Sequence, residues 1–247
     1  MGTVNAGAAM SLDGFIADPS GEVGPLFDWY FNGDVEFPTA GGRWVFKTSE
    51  ASARHLREIW NRAGALVVGR GEFDKTQAWG GLHPVGVPVF VLTHRPPAGW
   101  PFPETPLAEE APFTFVTDGI ESAIAQARAV AGDKVVGINP GSIAGQALDA
   151  GLLDEVWVEL VPVLLGDGIR FFGDVAKPPV LFSNPRVIEG NAVTHLIYTI
   201  RREPRVLAGL QRAGSRSPRR CPTPRPPPGG GAVPDRGARR GCVASPA

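Results

Sequence analysis

Apolar positions along the chain follow two different periods. The runs at residues 4–10, ALVVGR, VPVFVLT, FTFVTD and DKVVGI are nearly continuous and rich in β-branched residues, as strands buried on both faces are. Between them the apolar residues recur at helical spacing. Leu56, Ile59 and Trp60 fall on one face of a helix that Ser49 or Ser52 can cap and that runs to about Arg62. GEFDKTQAW reads as a short helical stretch and ESAIAQARAVAG as a longer helix. GSIAGQALDAG reads as another, with Ser142 near its N-cap and Gly151 at its stop. Strand and helix alternate, so the pattern predicts an α/β fold with a mainly parallel central sheet covered on both faces, a three-layer sandwich. DEVWVELVPVLL, then roughly PVLFSNPRVIE, then AVTHLIYTIRR lack helices between them, which predicts an antiparallel C-terminal portion. The first strand continues through a turn at Gly14, and residues 21–45 form an aromatic-rich stretch without clear periodicity.

Composition changes this picture at one place. From Pro204 the chain turns to Pro, Arg, Gly, Ser and Ala: residues 204–247 hold nine Arg, nine Pro and seven Gly against one acid, Asp235. Such a segment cannot bury a core, so the sequence predicts a folded domain over 1–203 and a disordered Pro/Arg/Gly-rich tail over 204–247. The tail carries about +8, which leaves about −9 for the folded part. An acidic body argues against a nucleic-acid surface, although the tail alone can attract polyanions. Both cysteines, Cys221 and Cys242, lie in the tail, and the N-terminus has neither a basic start nor a long apolar stretch. A soluble cytoplasmic protein with no membrane segment is the expectation. The four histidines, His55, His83, His94 and His195, show no metal-binding spacing, so no metal is expected.

Four segments carry a resemblance: MSLDGFIA, LVVGRGEFD, VFVLTHR and GSIAGQALDAGLLDEVWVELVPVLLGDGIRFF. Their order, over about residues 3–202, resembles the dihydrofolate-reductase-like family, and within it the reductase domain of the riboflavin-pathway deaminase/reductase and its stand-alone relatives. The last segment is the most specific. The resemblance implies a dihydrofolate-reductase-like sandwich, NADPH as cofactor and reduction of a small heterocyclic or ribosylamino-pyrimidine-like substrate. It also implies a homodimer, which the apolar strands VWVELVPVLL and HLIYTI favour independently, since two helices cannot cover them.

Physical chemistry places the candidate site at the carboxyl ends of the strands, where helix N-termini direct free N–H groups outward. Gly69 and Arg70, then Thr93, His94 and Arg95, then Asn139, Gly141, Ser142 and Ile143 each follow an apolar strand. Glycine admits close backbone approach, hydroxyls and amides reach phosphate oxygens, and arginine offers a permanent planar charge. These nine residues are the expected cofactor contacts. Ordinary strand ends, a polar turn before Pro96 and a plain helix start explain the same residues without a ligand. The chain departs from the family's usual Gly-Gly-Gly-Ser loop with Asn139-Pro140-Gly141-Ser142, and proline has no N–H to offer a phosphate.

On the substrate side, Asp13 stands out in SLDG, either as a substrate partner or as a cap of the Gly14 turn. In dihydrofolate reductases an acid after the first loop holds the pterin, which makes Asp28 the first choice ahead of Asp34 and Glu36. The aromatics Phe27, Trp29, Tyr30 and Phe31 can line a flat pocket or fill a core, and Trp79 with Gly80 and Gly81 makes an aromatic turn near the cofactor edge. Two other readings stay open: a catalytically silent nucleotide-binding protein of this fold, favoured by Pro140, and a nucleic-acid-associated protein acting through the tail.

Overall fold

β-branched runs bounded by glycine and proline assemble into one eight-stranded sheet in a computed structural model that describes residues 2–101, 109 and 112–202. In chain order the elements are β1 (Val4–Ser11), β2 (Phe15–Ala17), a 3-10 segment (Gly24–Phe31), β3 (Val35–Pro38), β4 (Val45–Thr48), α1 (Glu50–Arg62) and β5 (Ala63–Gly69). There follow α2 (Arg70–Lys75), β6 (Val89–Leu92), β7 (Phe113–Val116), α3 (Ile120–Ala131), β8 (Val135–Ile138) and α4 (Ser142–Asp149). The chain then forms β9 (Glu155–Val161), β10 (Ile169–Arg170), β11 (Arg186–Gly190) and β12 (Val193–Thr199). The main sheet has the order β11-β12-β9-β1-β8-β5-β6-β7. All neighbours from β9 to β7 are parallel, and β12 is antiparallel to both β9 and β11. The expected mostly parallel sheet with an antiparallel end is therefore present, but β9 itself runs parallel to β1. A helix does precede it, and the reversal begins one strand later.

Alternation along each strand sorts side chains between the two faces. Val4 and Ala6 of β1, Ala65 and Val67 of β5, and Val136 and Ile138 of β8 pack with Ile124 and Ala127 of α3 and Ala144 and Ala147 of α4. The opposite face holds two separate clusters. One joins Ala9, Val161 and Val193 to Leu56 of α1 and to Leu26 and Trp29 of the 3-10 segment. The other joins Leu66, Val68, Val89 and Val91 to Phe73 of α2 and to Ala78 and Trp79. The result is the three-layer arrangement that the alternating pattern predicts.

The aromatic stretch is ordered by more than packing: it contains the 3-10 segment and the β3–β4 hairpin, in which Phe37 pairs with Phe46. After α2 the backbone makes a left-handed turn, with φ of 51°, 52°, 50° and 68° at Gln77, Ala78, Trp79 and Gly80. The Arg43 guanidinium donates to the Trp79 carbonyl at 2.9 Å across this turn. Among the described residues no helix is long and apolar enough to cross a membrane. The chain divides into the units Met1–Arg202 and Glu203–Ala247. The tail expected to be disordered, 204–247, lies outside the described residues.

Candidate active site

Between the two clusters of the second face small residues stand in the sheet, with the Leu66 side chain over Gly137 and that of Trp157 beside Gly7. Gly7 of β1 and Gly137 of β8 floor a cavity of about 800 Å³, with Asn5, Trp157 and Glu159 beside them. Phe27, Tyr30, Phe46, Leu56, Ile59 and Trp60 wall one end. The other end lies at the carboxyl edge of the sheet, where Gly69, Gly71, Glu72 and residues 139–143 line it together with Trp79 and His83.

The cofactor residues expected from sequence divide here into two groups. Gly69, Asn139, Gly141, Ser142 and Ile143 line the cavity. A Cβ at Gly69 or Gly71 would meet nothing within 4 Å, and one at Gly141 only Ile169 Cγ2 at 3.9 Å, so the backbone borders open space. Gly141 also has φ of 94°, which favours glycine, but its N–H donates to the Phe171 carbonyl at 2.8 Å. With Pro140 lacking an N–H, anion donors fall to the first turn of α4, beginning at Ser142. Arg70, Thr93, His94 and Arg95 do not line the cavity but gather at the same sheet edge. Arg70 Nε donates to Asp74 Oδ1 and its Nη1 to the Arg95 carbonyl, both at 2.7 Å, while Thr93 Oγ1 donates to that carbonyl at 2.8 Å. His94 and Arg95 are exposed, and the Arg95 guanidinium has no partner among the described residues.

Neither acid chosen from sequence reaches the cavity lining. Asp13 accepts from Ser11 Oγ at 2.5 Å, from Leu165 N at 3.2 Å and from Gly166 N at 2.7 Å. The Ser11 bond chiefly, helped by the two N–H groups, holds its carboxyl down at about 2. Asp13 thus pins the 165–166 turn rather than capping the Gly14 turn, whose N–H donates to the Ser11 carbonyl. Asp28 is exposed on the 3-10 segment, away from the lining. Of the four aromatics beside it, Phe27 and Tyr30 line the cavity; Trp29 is core, and Phe31 is exposed.

The acids that do line the interior are Glu159 and Glu72, with exposed-side Glu22 at the rim. Glu159 is buried, and His55 of α1 and His195 of β12 lie against it. His55 Nε2 stands 3.3 Å and His195 Nδ1 3.7 Å from Glu159 Oε1. Burial opposes the charge of Glu159, but the two imidazoles outweigh it and hold the carboxyl below its ordinary value. Burial pushes the Tyr30 phenol up, and the Glu159 charge pushes it further. Spacing along the chain gave no histidine cluster, yet the fold brings His55, Glu159 and His195 within 4.8 Å of one another. Glu72, on the first turn of α2, accepts from the Asn139 side-chain amide, and burial raises it to about 7 against that bond. Burial alone lowers His83 to about 3, so this ring stays neutral, accepting at Nδ1 from Val85 N at 3.1 Å. Glu159 was hidden in sequence inside VWVELV; its one signal is an acid at an inward position of an otherwise apolar strand.

The family model described as RibD C-terminal domain matches residues 2–184. No curated protein matches. Among solved structures, a putative riboflavin biosynthesis protein from Shewanella sp. PV-4 is 24% identical with a TM-score of 0.58, over 81% of this chain and 99% of that one. A diaminohydroxyphosphoribosylaminopyrimidine deaminase/5-amino-6-(5-phosphoribosylamino)uracil reductase from Thermotoga maritima is 16% identical with a TM-score of 0.52, over 81% of this chain and 57% of that one. RibD from Acinetobacter baumannii is 18% identical with a TM-score of 0.51, over 81% and 58% respectively. At these identities the likeness is one of fold.

Proposed function

The chain belongs to the RibD C-terminal domain family, and on that premise we propose that it is an NADPH-dependent reductase of a small, ribosylamino-pyrimidine-like heterocycle. The carrying observation is the single cavity that joins a glycine-bordered strand edge to an aromatic-walled end with an ionised carboxylate, Glu159, on its floor. The strand edge fits a dinucleotide: Gly69, Gly71 and Gly141 leave room for it, and the first turn of α4 offers N–H groups to phosphate. Bound there, NADPH supplies the hydride. The protein's part is to hold the two reactants face to face. Phe27, Tyr30 and Phe46 suit a flat ring, and Glu159 and Asn5 suit polar groups on the substrate. Neither Asp13 nor Asp28 enters this reading.

Arg95, exposed and unpartnered among the described residues, is the group best placed for a ribose 2′-phosphate, with Arg70 orienting its turn through the Arg95 carbonyl. A charge-assisted bond of this kind contributes about 1.5 kcal/mol or more, so Arg95→Ala should weaken NADPH binding about tenfold and leave NADH nearly unchanged. Equal losses for both cofactors remove the assignment. The function itself is tested by NADPH oxidation with the ribosylamino-pyrimidine, dihydrofolate and simple quinones. The loss of donors at Pro140 and Gly141 favours a second reading, a nucleotide-binding protein without catalysis. Tight NADPH binding with no oxidation of any substrate class supports that one instead.

A further inference from the structure

Behind the cavity floor, polar groups that play no part in holding either reactant form a chain. Ser49, the N-cap of α1, is half-buried, and its Oγ lies 3.0 Å from Ser52 Oγ. Ser52 Oγ lies 2.9 Å from His195 Nε2, and His195 Nδ1 faces Glu159 Oε1 at 3.7 Å without any hydrogen-bond partner of its own. Ser52 and His195 are buried, and neither lines the cavity. β11 seals the bond between them: a Cβ at Gly190 would stand 2.4 Å from Ser52 Oγ and 3.3 Å from His195 Nε2, so only glycine leaves room.

The hydroxyls and the imidazole can order their protons in one direction. Ser49 Oγ accepts from Ser52 N at 3.3 Å and is placed to donate to Ser52 Oγ, an arrangement in which Ser52 can donate to His195 Nε2. In the tautomer that accepts there, His195 carries its proton on Nδ1, aimed at Glu159. A shift of about 0.5 Å closes that contact to hydrogen-bond length. The other titratable groups facing Glu159 are His55, from α1, and Tyr30, from the 3-10 segment; β1 sets only Ala9 opposite it.

We propose that Ser49, Ser52 and His195 form a proton relay that delivers to the substrate through Glu159, an assignment that rests on the reductase reading for its substrate, a heterocycle with a reducible C=N bond. As the carbon accepts the hydride, the π bond breaks and its electron pair stays on nitrogen. The Glu159 carboxylate takes the Nδ1 proton of His195 and passes it on to that nitrogen. His195 Nε2 takes the Ser52 proton, Ser52 takes that of Ser49, and Ser49 takes one from solvent water. One hydride and one proton enter the substrate. When product leaves and water enters the cavity, the relay runs back with that water as the proton source.

Two measurements on the full chain test this. Nitrogen-15 NMR of the histidines should show neutral His195 as the Nδ1–H tautomer, and Ser52→Ala, or Gly190→Ala as a second variant, should shift its ring nitrogens. An Nε2–H tautomer in the wild type, or ring nitrogens unmoved by both variants, overturns the relay whatever the activity. With a substrate that turns over, Ser52→Ala should lower kcat about tenfold or more and raise the solvent deuterium isotope effect, with KM and NADPH affinity unchanged. Unaltered kcat and isotope effect in an active Ser52→Ala protein sink the relay alone. No NADPH oxidation by the wild type sinks the reductase reading and the relay with it. Zinc held stoichiometrically by His55, Glu159 and His195 in the purified protein also overturns it.

Discussion

If the chain binds NADPH as proposed, Glu72 sets a condition on that binding. Its carboxyl lines the same end of the cavity as the first turn of α4, where phosphate oxygens would come, and burial raises it to about 7. Below that pH it is neutral and a hydrogen-bond donor; above it, a carboxylate repels phosphate. NADPH affinity should therefore fall as pH rises through about 7, and Glu72→Gln should flatten the dependence and bind more tightly at about pH 8. Fluorescence titration of both proteins across that range checks this, and parallel curves would refute it. Stability has the same sign. The unfolded chain gives up this proton first, so Glu72 lowers stability as pH rises from the ordinary carboxylate value to about 7 and changes nothing further above it. Residues of this kind were poorly legible in sequence. Asp13 stood out in a polar motif and serves a turn, whereas Glu159 and Glu72 sit among apolar or charged neighbours and acquire their role only from what the fold packs against them.

Elements were far more legible than sites. The helix capped by Ser49, the strands after it and the Gly151 stop all follow from periodicity and capping chemistry, because each depends on near neighbours. Residues 21–45 gave no period because the 3-10 segment and β3–β4 hairpin bury only isolated positions, Leu26, Trp29 and Phe37. The helical reading of GEFDKTQAW held only to Lys75, and the backbone changes hand two residues on, at Gln77. Nothing local announces that reversal, since Gln77, Ala78 and Trp79 are not residues that choose a positive φ. Each costs about 1 kcal/mol there, offset by the burial of Trp79 and the Arg43 bond. Gln77 is exposed, so Gln77→Gly should raise the melting temperature, the reverse of the usual glycine effect, and Gln77→Val should lower it. Thermal denaturation of the two variants checks the pair; a fall in both would show that the turn carries no strain.

At the scale of the whole molecule, Leu12 and Leu164 are exposed on segments joined by the Leu12 N–Val163 O bond, and edge strand β11 exposes Val187. β9 and β12, the strands from which a homodimer is expected, lie inside the sheet; we propose that a dimer instead forms through Leu164, so that light scattering at micromolar concentration should give a dimer mass that Leu164→Glu converts to a monomer mass. A monomeric wild type would end that expectation. The two faces of the sheet differ in a further way. Under α3 and α4 the packing is continuous, while on the other side Gly7 and Gly137 keep the Leu56 and Phe73 clusters apart. That side holds an open cavity between its clusters, and a flat ligand seated there would supply apolar contacts that the clusters do not make with each other. Its association should then look calorimetrically like a small act of folding, with a negative heat-capacity change that titrations at several temperatures would measure.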